Sequence, residues 1–276
     1  MTSLVYMVAG LSSRFEGKPK AFSKITEKET LIEYSLNQAL KNPFEEIIFI
    51  VSNQTKKLFE NKFNHSYKGI KIQYAIQTYN PKKRNKPWGT LDAICSAIDL
   101  IKKPVILCNG DDIYGEDAFK ILFNHLEKNK DDATLGYKLK NVLIENSSCN
   151  RGIFNYTKDY DIKNISEIFD ITHDNLLEKN LTIDSLCSMN IFALHPESII
   201  KLNKKLIEFK EKNKDDKNIE CLLPVEIGNL ISKNEISMKL YPCSDNWYGI
   251  TNPGDEIVIR NKIEFRNKLE LSKQSL

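Results

Sequence analysis

Two hydrophobic periodicities alternate along the first 130 residues. Apolar stripes at helical spacing begin near Thr30, Gly89 and Ala118, and Thr30 with Glu33 has capping-box spacing. Thr90 is predicted to be the N-cap of a helix that runs to Ile101. Strands alternating with helices predict an α/β fold with a mixed, mostly parallel central sheet and helices on both faces. The apolar runs predicted to be strands are residues 4–9, 46–51 and 105–108, and the alternating residues 70–76 predict another strand.

The pattern is looser after residue 130. Proline at position 196 predicts the start of a helix that ends at Lys212. No repeat, low-complexity block or linker is visible, so we expect a single domain over residues 1–276. The strands predicted in this half are residues 134–139, 150–156 and 189–194.

Composition excludes several classes of protein. Forty Lys and Arg against 37 Asp and Glu give a net charge of +3, too mild to indicate nucleic-acid binding without a basic stripe. Six scattered cysteines predict neither a disulfide framework nor a zinc site, and Cys108 is expected in the core. The chain shows no secretory signal and no apolar run near the roughly 20 residues of a membrane span. We therefore expect a cytoplasmic protein that needs no membrane.

The segment after the first strand is rich in glycine, serine and cations. Ligands bind beyond the carboxyl ends of strands in open α/β sheets, so this position suits a phosphate. Small residues leave backbone N–H groups open to phosphate oxygens, Arg14 offers a forked donor and Lys20 a point charge. The sequence matches neither the P-loop nor the Rossmann dinucleotide pattern, and a solvated connection is the alternative. The candidate residues are Ala9, Gly10, Ser12, Ser13, Arg14 and Lys20.

Two further segments follow predicted strands. Gly89-Thr90 stands at a helix start, where the backbone can approach an anion. Asp111 and Asp112 follow the fourth strand, where carboxylates suit a hard cation that shares substrate phosphates. A simple helix cap and a structural turn are the alternatives. Because the three segments end successive strands, we expect them to converge.

Together these segments resemble the nucleotidyltransferases that make nucleotide sugars and related activated compounds, which have a GT-A-like, Rossmann-type fold. Their opening pattern, G-x-G-[ST]-R-[FM] followed by P-K, is similar to residues 10–15 and 19–20, except that Ser12 stands at the usual second glycine. Residues 89–93 resemble the family's G-T-x-x-[AS] segment, and residues 109–111 its metal-binding segment. Weaker similarity continues through residues 150–152, 188–190 and 247–253, and residues 250–255 resemble a Val-Thr-x-Pro-x-Asp segment of cytidylyltransferases.

The resemblance implies a role for each matching residue. Residues 1–130 would bind the nucleotide and residues 131–276 the acceptor. Arg14 and Lys20 would hold a triphosphate together with Ser12 and Ser13, and Asp111 would bind Mg²⁺. Asp245 is the candidate second metal ligand. The base and nucleoside would meet Ala9, Gly10, Gln77, Gly89 and Thr90, and the acceptor would meet Gly152, Glu167 and Asn190.

The implied reaction is attack by an acceptor phosphate on the α-phosphorus of a nucleoside triphosphate. An anionic phosphate needs no general base, which agrees with the lack of a Ser, His or Cys constellation. We expect a pyrimidine triphosphate (UTP or CTP), because Gln77 could meet the base edge, and a sugar 1-phosphate as acceptor. The alternatives are a phosphocholine-like acceptor, a GT-A glycosyltransferase and a non-catalytic regulatory homologue. The sequence leaves a homo-oligomer open.

Overall fold

The computed structural model describes residues 1–10, 19–143, 147–250 and 254–274. The strands are β1 Ser3–Met7, β2 Glu46–Val51, β3 Ser66–Tyr67, β4 Ile70–Ile76, β5 Val105–Asn109, β6 Asp112–Ile113, β7 Asp132–Lys138, β8 Cys149–Tyr156, β9 Ile162–Ile171, β10 Leu186–Cys187, β11 Phe192–Leu194, β12 Met238–Pro242 and β13 Tyr248–Gly249. The helices are α1 Leu31–Ala39, α2 Lys56–Phe63, α3 Thr90–Cys95, α4 Glu116–Lys128, α5 Pro196–Lys212, α6 Leu223–Ser232 and α7 Asp255–Gln274, and Lys20–Phe22 forms a short 3-10 turn.

The strands build one large mixed sheet in the order β3-β4-β2-β1-β5-β11-β7-β10-β8-β9, with β12 beside β7. β4, β2, β1 and β5 are parallel, so their carboxyl ends share one edge. β11 is antiparallel to both β5 and β7, and the antiparallel β8–β9 hairpin forms one end. A separate short ladder pairs β13 with β6. This ladder ties residues 248–249 to the segment after β5.

Both faces of the parallel strands are covered. Leu4 and Tyr6 belong to a core cluster shared with α1, α2 and α4, whereas Val5 belongs to a second cluster with α3, α5 and α6. Cys108 is fully buried in the first cluster, as expected. Alternate residues of a strand point to opposite faces, so a strand buried on both sides reads as a continuous apolar run. The predicted fold class, with helices on both faces, is confirmed.

The start of α3 corrects one prediction. Gly89, with φ of +99°, is the N-cap, and Thr90 is the first helical residue. The Thr90 hydroxyl instead accepts a hydrogen bond from the Leu223 backbone N–H at 2.9 Å, which links α3 to α6. α3 also ends at Cys95, short of the predicted Ile101, and turns follow it.

The capping box at α1 is confirmed, because Thr30 N–H donates to the Glu33 carboxylate at 2.9 Å. In the parts of the chain that the structure describes, no helix is both long and apolar enough to cross a membrane.

Candidate functional site

Parallel pairing of β1 and β5 brings their following segments together. Met7 pairs with Asn109, and Gly110 N–H donates to the Met7 carbonyl at 3.0 Å. Lys20, at the start of the 3-10 turn, lies here with its Nζ 3.8 Å from Asp111 Oδ2. Arg14, Ser12 and Ser13 lie outside the described residues, so their roles stay predictions. The structure thus joins Lys20 and Asp111, which are 91 positions apart (111 less 20).

Two cavities meet at Lys20 and Asp111. One, of about 60 Å³, lies on the β1 side and is also lined by Gly10. The other, of about 210 Å³, lies on the β8–β9 side. Its lining includes three predicted acceptor residues and several further polar groups: Asn109, Asp112, Asn150, Arg151, Gly152, Glu167, Ser188, Asn190 and Trp247. Residues that the sequence assigned to the triphosphate and to the acceptor therefore share one continuous site.

The two glycines that line the small cavity, Gly10 and Gly110, differ in their surroundings. A Cβ at Gly110 would lie 2.1 Å from Val8 Cγ1, so packing on β1 demands glycine there. A Cβ at Gly10 would meet no heavy atom of the described residues within 4 Å, so packing against them does not require glycine there.

The carboxyl groups of Asp111 and Asp112 both have raised pKa values. Burial raises the pKa of the Asp111 carboxyl, and the Lys20 ammonium opposes that rise. Burial and the adjacent Asp111 raise the pKa of Asp112 to about 7, against hydrogen bonds from Asn109 and Tyr114. These bonds to Asp112 Oδ2 measure 2.9 and 3.1 Å. Two carboxylates whose charged forms are disfavoured by burial suit a bound cation.

The acceptor side is built on the β8–β9 hairpin. Gly152 pairs with Glu167, and the Gly152 carbonyl accepts a hydrogen bond from Ser188 N–H at 2.8 Å. A Cβ at Gly152 would lie 3.1 Å from Ile165 Cγ2, so the cavity wall is tight there. Burial raises the pKa of the Glu167 carboxyl, and Arg151 opposes the rise.

Asn190 enters the cavity through a bulge between β10 and β11. Cys187 pairs with Tyr137 while Phe192 pairs with Thr134, so the four residues 188–191 stand opposite the two residues 135 and 136. Asn190 has φ of +56°, a conformation that Asn tolerates better than most residues. Its buried Oδ1 has no hydrogen-bond partner in the described structure. The strand predicted from residue 189 therefore begins at Phe192, because the bulge interrupts the ladder.

Arg151 and Trp247 are site residues that the sequence analysis did not assign. The Arg151 guanidinium carbon lies 5.7 Å from the Trp247 ring centroid. Arg151 Nε and Trp247 Nε1 are both buried without a hydrogen-bond partner among the residues described. Both residues lie in stretches that carry the family resemblance. The sequence signal that could have identified Arg151 as a site residue is its charge beside Gly152.

Of the residues expected at the base and nucleoside, Gly10 lines the smaller cavity. The others, Ala9, Gln77, Gly89 and Thr90, are absent from the lining of both cavities. Ala9 is buried in the core. Gln77 Nε2 donates to the Gly89 carbonyl at 3.1 Å and to Asp92 Oδ2 at 2.9 Å. A Cβ at Gly89 would lie 2.7 Å from the Cys221 carbonyl oxygen, so the protein's own backbone requires this glycine. The Gln77 carbonyl oxygen is the part of that side chain left to meet a base edge.

Asp245, the candidate second metal ligand, contacts the start of α4. Its Oδ2 accepts a hydrogen bond from the Ala118 N–H, in the first turn of α4, at 3.2 Å. A Cβ at Gly115, the α4 N-cap with φ of +93°, would lie 2.1 Å from the same oxygen. The carboxylate therefore sits at the positive end of a helix and outside the cavity that Asp111 lines. The role of Asp245 as a second metal ligand stays a prediction.

The described donor set fits a weakly ligated hard cation. Among the described residues, no three His, Cys, Asp or Glu side chains cluster as a metal site. Asp111 retains 39% side-chain exposure at the junction of the cavities. Mg²⁺ commonly binds through one or two carboxylates, with waters and substrate phosphates completing its shell. Asp111 meets that requirement.

Comparison with known proteins defines the class. The family model for nucleotidyl transferases matches residues 11–145, just under half of the chain. Over these residues the chain is similar to the nucleotidyl transferase family.

A curated relative, D-glycero-alpha-D-manno-heptose 1-phosphate guanylyltransferase of Campylobacter jejuni, is 28% identical over 127 residues. The match covers 44% of this chain and about half (52%) of the relative's length.

Solved structures share the fold over nearly the whole chain. HddC from Yersinia pseudotuberculosis, complexed with GMP-PN, has a TM-score of 0.61 at 17% identity and covers 95% of this chain and 100% of its own. A UDP-glucose pyrophosphorylase complexed with UDP-glucose has a TM-score of 0.68 at 15% identity, covering 96% and 99%. CTP:phosphocholine cytidylyltransferase from Streptococcus pneumoniae has a TM-score of 0.61 at 13% identity, covering 95% and 99%. At these identities the likeness concerns the fold.

Proposed function

We propose that this protein transfers a nucleotidyl group from a nucleoside triphosphate to a phosphorylated small molecule and releases pyrophosphate. The observation that carries the proposal is the junction of two cavities at Lys20 and Asp111. A transferase for two phosphorylated substrates needs them on opposite sides of one charged junction. The cavity beside Gly10, of about 60 Å³, has room for part of the triphosphate chain, and the cavity beside Gly152 suits the acceptor. In this proposal residues 1–130 bind mainly the nucleotide, and residues 131–276 bind mainly the acceptor.

The reaction is balanced without a protein-derived base. An acceptor phosphate oxygen attacks the α-phosphorus, and a new P–O–P bond forms. The bond from the α-phosphorus to its bridging oxygen breaks, and its electrons leave with pyrophosphate. Lys20, with Arg14 from the preceding loop, neutralises the triphosphate, so that the approaching anions repel each other less.

Mg²⁺ is the cofactor we propose at Asp111. When bound, it supplies charge neutralisation to the phosphate oxygens. Asp111 holds it, and the 3.8 Å contact with Lys20 keeps that carboxylate at the junction.

We propose a sugar 1-phosphate as the acceptor in preference to a phosphocholine-like molecule. Glu167 and Asn190 offer the larger cavity both acceptors and donors, the mixture that hydroxyl groups of a sugar require. A quaternary ammonium prefers the face of an aromatic ring. In this cavity the Arg151 cation already lies over Trp247, so a second cation there meets repulsion.

The base remains a prediction for experiment. Similarity of residues 250–255 to cytidylyltransferases favours a pyrimidine. The Gln77 amide that was expected to meet a base donates both hydrogens within the protein. The curated relative matched here is a guanylyltransferase. GTP therefore belongs in the assay with UTP, CTP, ATP and dTTP.

The decisive experiment is an activity matrix of five nucleoside triphosphates against sugar 1-phosphates and phosphocholine, with and without Mg²⁺. We expect stoichiometric pyrophosphate and a nucleotide-linked product in at least one sugar phosphate row. A glycosyltransferase would instead release a free nucleoside diphosphate from a nucleotide sugar. No turnover together with no Mg²⁺–NTP binding by calorimetry would indicate a non-catalytic homologue and overturn the proposal.

A further inference from the structure

Arg151 carries more hydrogen-bond donors than its surroundings use. A guanidinium has five N–H groups. The structure shows Nη1 donating to the Asn150 carbonyl at 2.9 Å, while Nε is buried and unpartnered among the described residues. A buried, unpaired donor on a charged group is costly, and proteins rarely retain one without a reason. Arg151 also lines the larger cavity, where a bound anion can accept hydrogen bonds from its guanidinium.

One aromatic ring connects Arg151 to the carboxylates at the junction. The guanidinium lies over Trp247. A Cβ at Gly249 would lie 2.4 Å from Trp247 Cζ2 and 2.6 Å from Asp112 Oδ1, so the ring and this carboxylate both abut Gly249. Gly249 is in turn held by its pairing with Asp112 in the β13–β6 ladder. Trp247 therefore lies between Arg151 and Asp112, and Asp112 is next to Asp111 at the junction of the two cavities.

Lys20 and Arg151, two cationic side chains that line the larger cavity, differ in whether they also line the smaller one. Lys20 lines both cavities, whereas Arg151 lines the larger one and is absent from the lining of the smaller one. A guanidinium binds phosphate oxygens in a forked, bidentate way that an ammonium cannot reproduce.

We propose that Arg151 binds the phosphate of the acceptor, and that Trp247 is a positioning residue that keeps the guanidinium oriented for it. This inference rests on the proposed function. It adds an acceptor-phosphate ligand to the acceptor residues Gly152, Glu167 and Asn190. Two phosphate oxygens on Arg151 would leave the third free to attack.

Steady-state kinetics of Arg151→Ala and Arg151→Lys test the proposal. We expect Arg151→Ala to raise KM for the acceptor ~10- to 100-fold, the value of a charge-assisted hydrogen bond, with KM for the triphosphate within about twofold of wild type. Arg151→Lys should fall between, because it keeps the charge and loses the fork. Lys163→Ala removes an exposed charge from the same hairpin and should behave as wild type. Trp247→Phe should retain acceptor affinity better than Trp247→Leu.

A second measurement is independent of turnover. Binding of inorganic phosphate, followed by calorimetry or ³¹P NMR, should weaken about tenfold in Arg151→Ala and stay unchanged in Lys163→Ala. Unchanged phosphate affinity together with an unchanged acceptor KM would overturn the role of Arg151. If no substrate pair turns over, the proposed function fails while phosphate binding still decides whether Arg151 is an anion ligand. Arg151→Lys, the conservative variant, keeps both readouts available if Arg151→Ala does not fold.

Discussion

Lys20 and Asp111 allow catalysis and stability to be separated in one experiment. Their charged atoms are 3.8 Å apart, and their side chains retain 24% and 39% exposure. An ion pair that solvent still reaches contributes about 0–1 kcal/mol to folding, because water screens it and two long side chains lose freedom. Lys20→Met and Asp111→Asn should therefore each lower the free energy of unfolding by about 1 kcal/mol or less.

Turnover should respond far more strongly. Each residue neutralises charge that accumulates as the two phosphates meet, and loss of one such group from a preorganised site costs ~10²–10³ in kcat. The double variant should lose less than the product of the single losses, because groups that act as a unit are not additive.

The assay is pyrophosphate release with the substrate pair found in the matrix, run beside urea unfolding of the same preparations. Lys41→Met is the matched control: it breaks an exposed ion pair with Glu116 on α4, and Lys41 does not line either cavity. It should keep wild-type turnover. Turnover within about threefold of wild type in Lys20→Met or Asp111→Asn would refute the assignment, given the ~10²-fold loss expected. A loss of activity matched by partial unfolding would refute the separation of the two effects.

Three further predictions concern residues around the site. Gly89→Ala should cost about 1–3 kcal/mol in urea unfolding, since φ is +99° and the Cβ would lie 2.7 Å from the Cys221 oxygen; an unchanged midpoint would contradict this. Asp132 holds the pKa of His195 above its usual value. The stabilisation that this ion pair gives is complete below the pKa of His195 in the unfolded chain and is lost as the pH rises through its pKa in the folded protein. His195→Gln should therefore destabilise the protein most at low pH. Equal shifts of the urea midpoint at all pH values would contradict this prediction. Asp245→Ala should cost ~0.5–2 kcal/mol by removing a helix cap. If the carboxylate serves only as a cap, the Mg²⁺ dependence of pyrophosphate release in this variant should match wild type, whereas a raised Mg²⁺ requirement would support the metal-ligand role.

Much of the fold follows from local patterns. β2, β4 and α5 have the predicted bounds, because the continuous apolar run of β2, the alternation along β4 and the proline at the start of α5 are clear signals. The charged junction was also predictable: parallel strands place their carboxyl ends at one edge, so Lys20 and Asp111 had to approach. The roles expected for Ser12, Ser13 and Arg14 stay predictions.

Other features depend on contacts between distant segments. β9, α6 and β12 were not predicted, since their burial is supplied by partners far along the chain. Asp245 was assigned to a metal by loose similarity, whereas its carboxylate caps α4.

What the sequence determined by itself is the layered α/β architecture and the charged strand ends, because both arise from periodicity and from residues near each other in the chain. Only the tertiary structure decided that Asn190 lines the cavity at a bulge and that Arg151 lies over Trp247. It also decided that Arg151 Nε is buried without a hydrogen-bond partner among the described residues. The reason is physical: a hydrogen bond left unmade is a property of the whole packed environment.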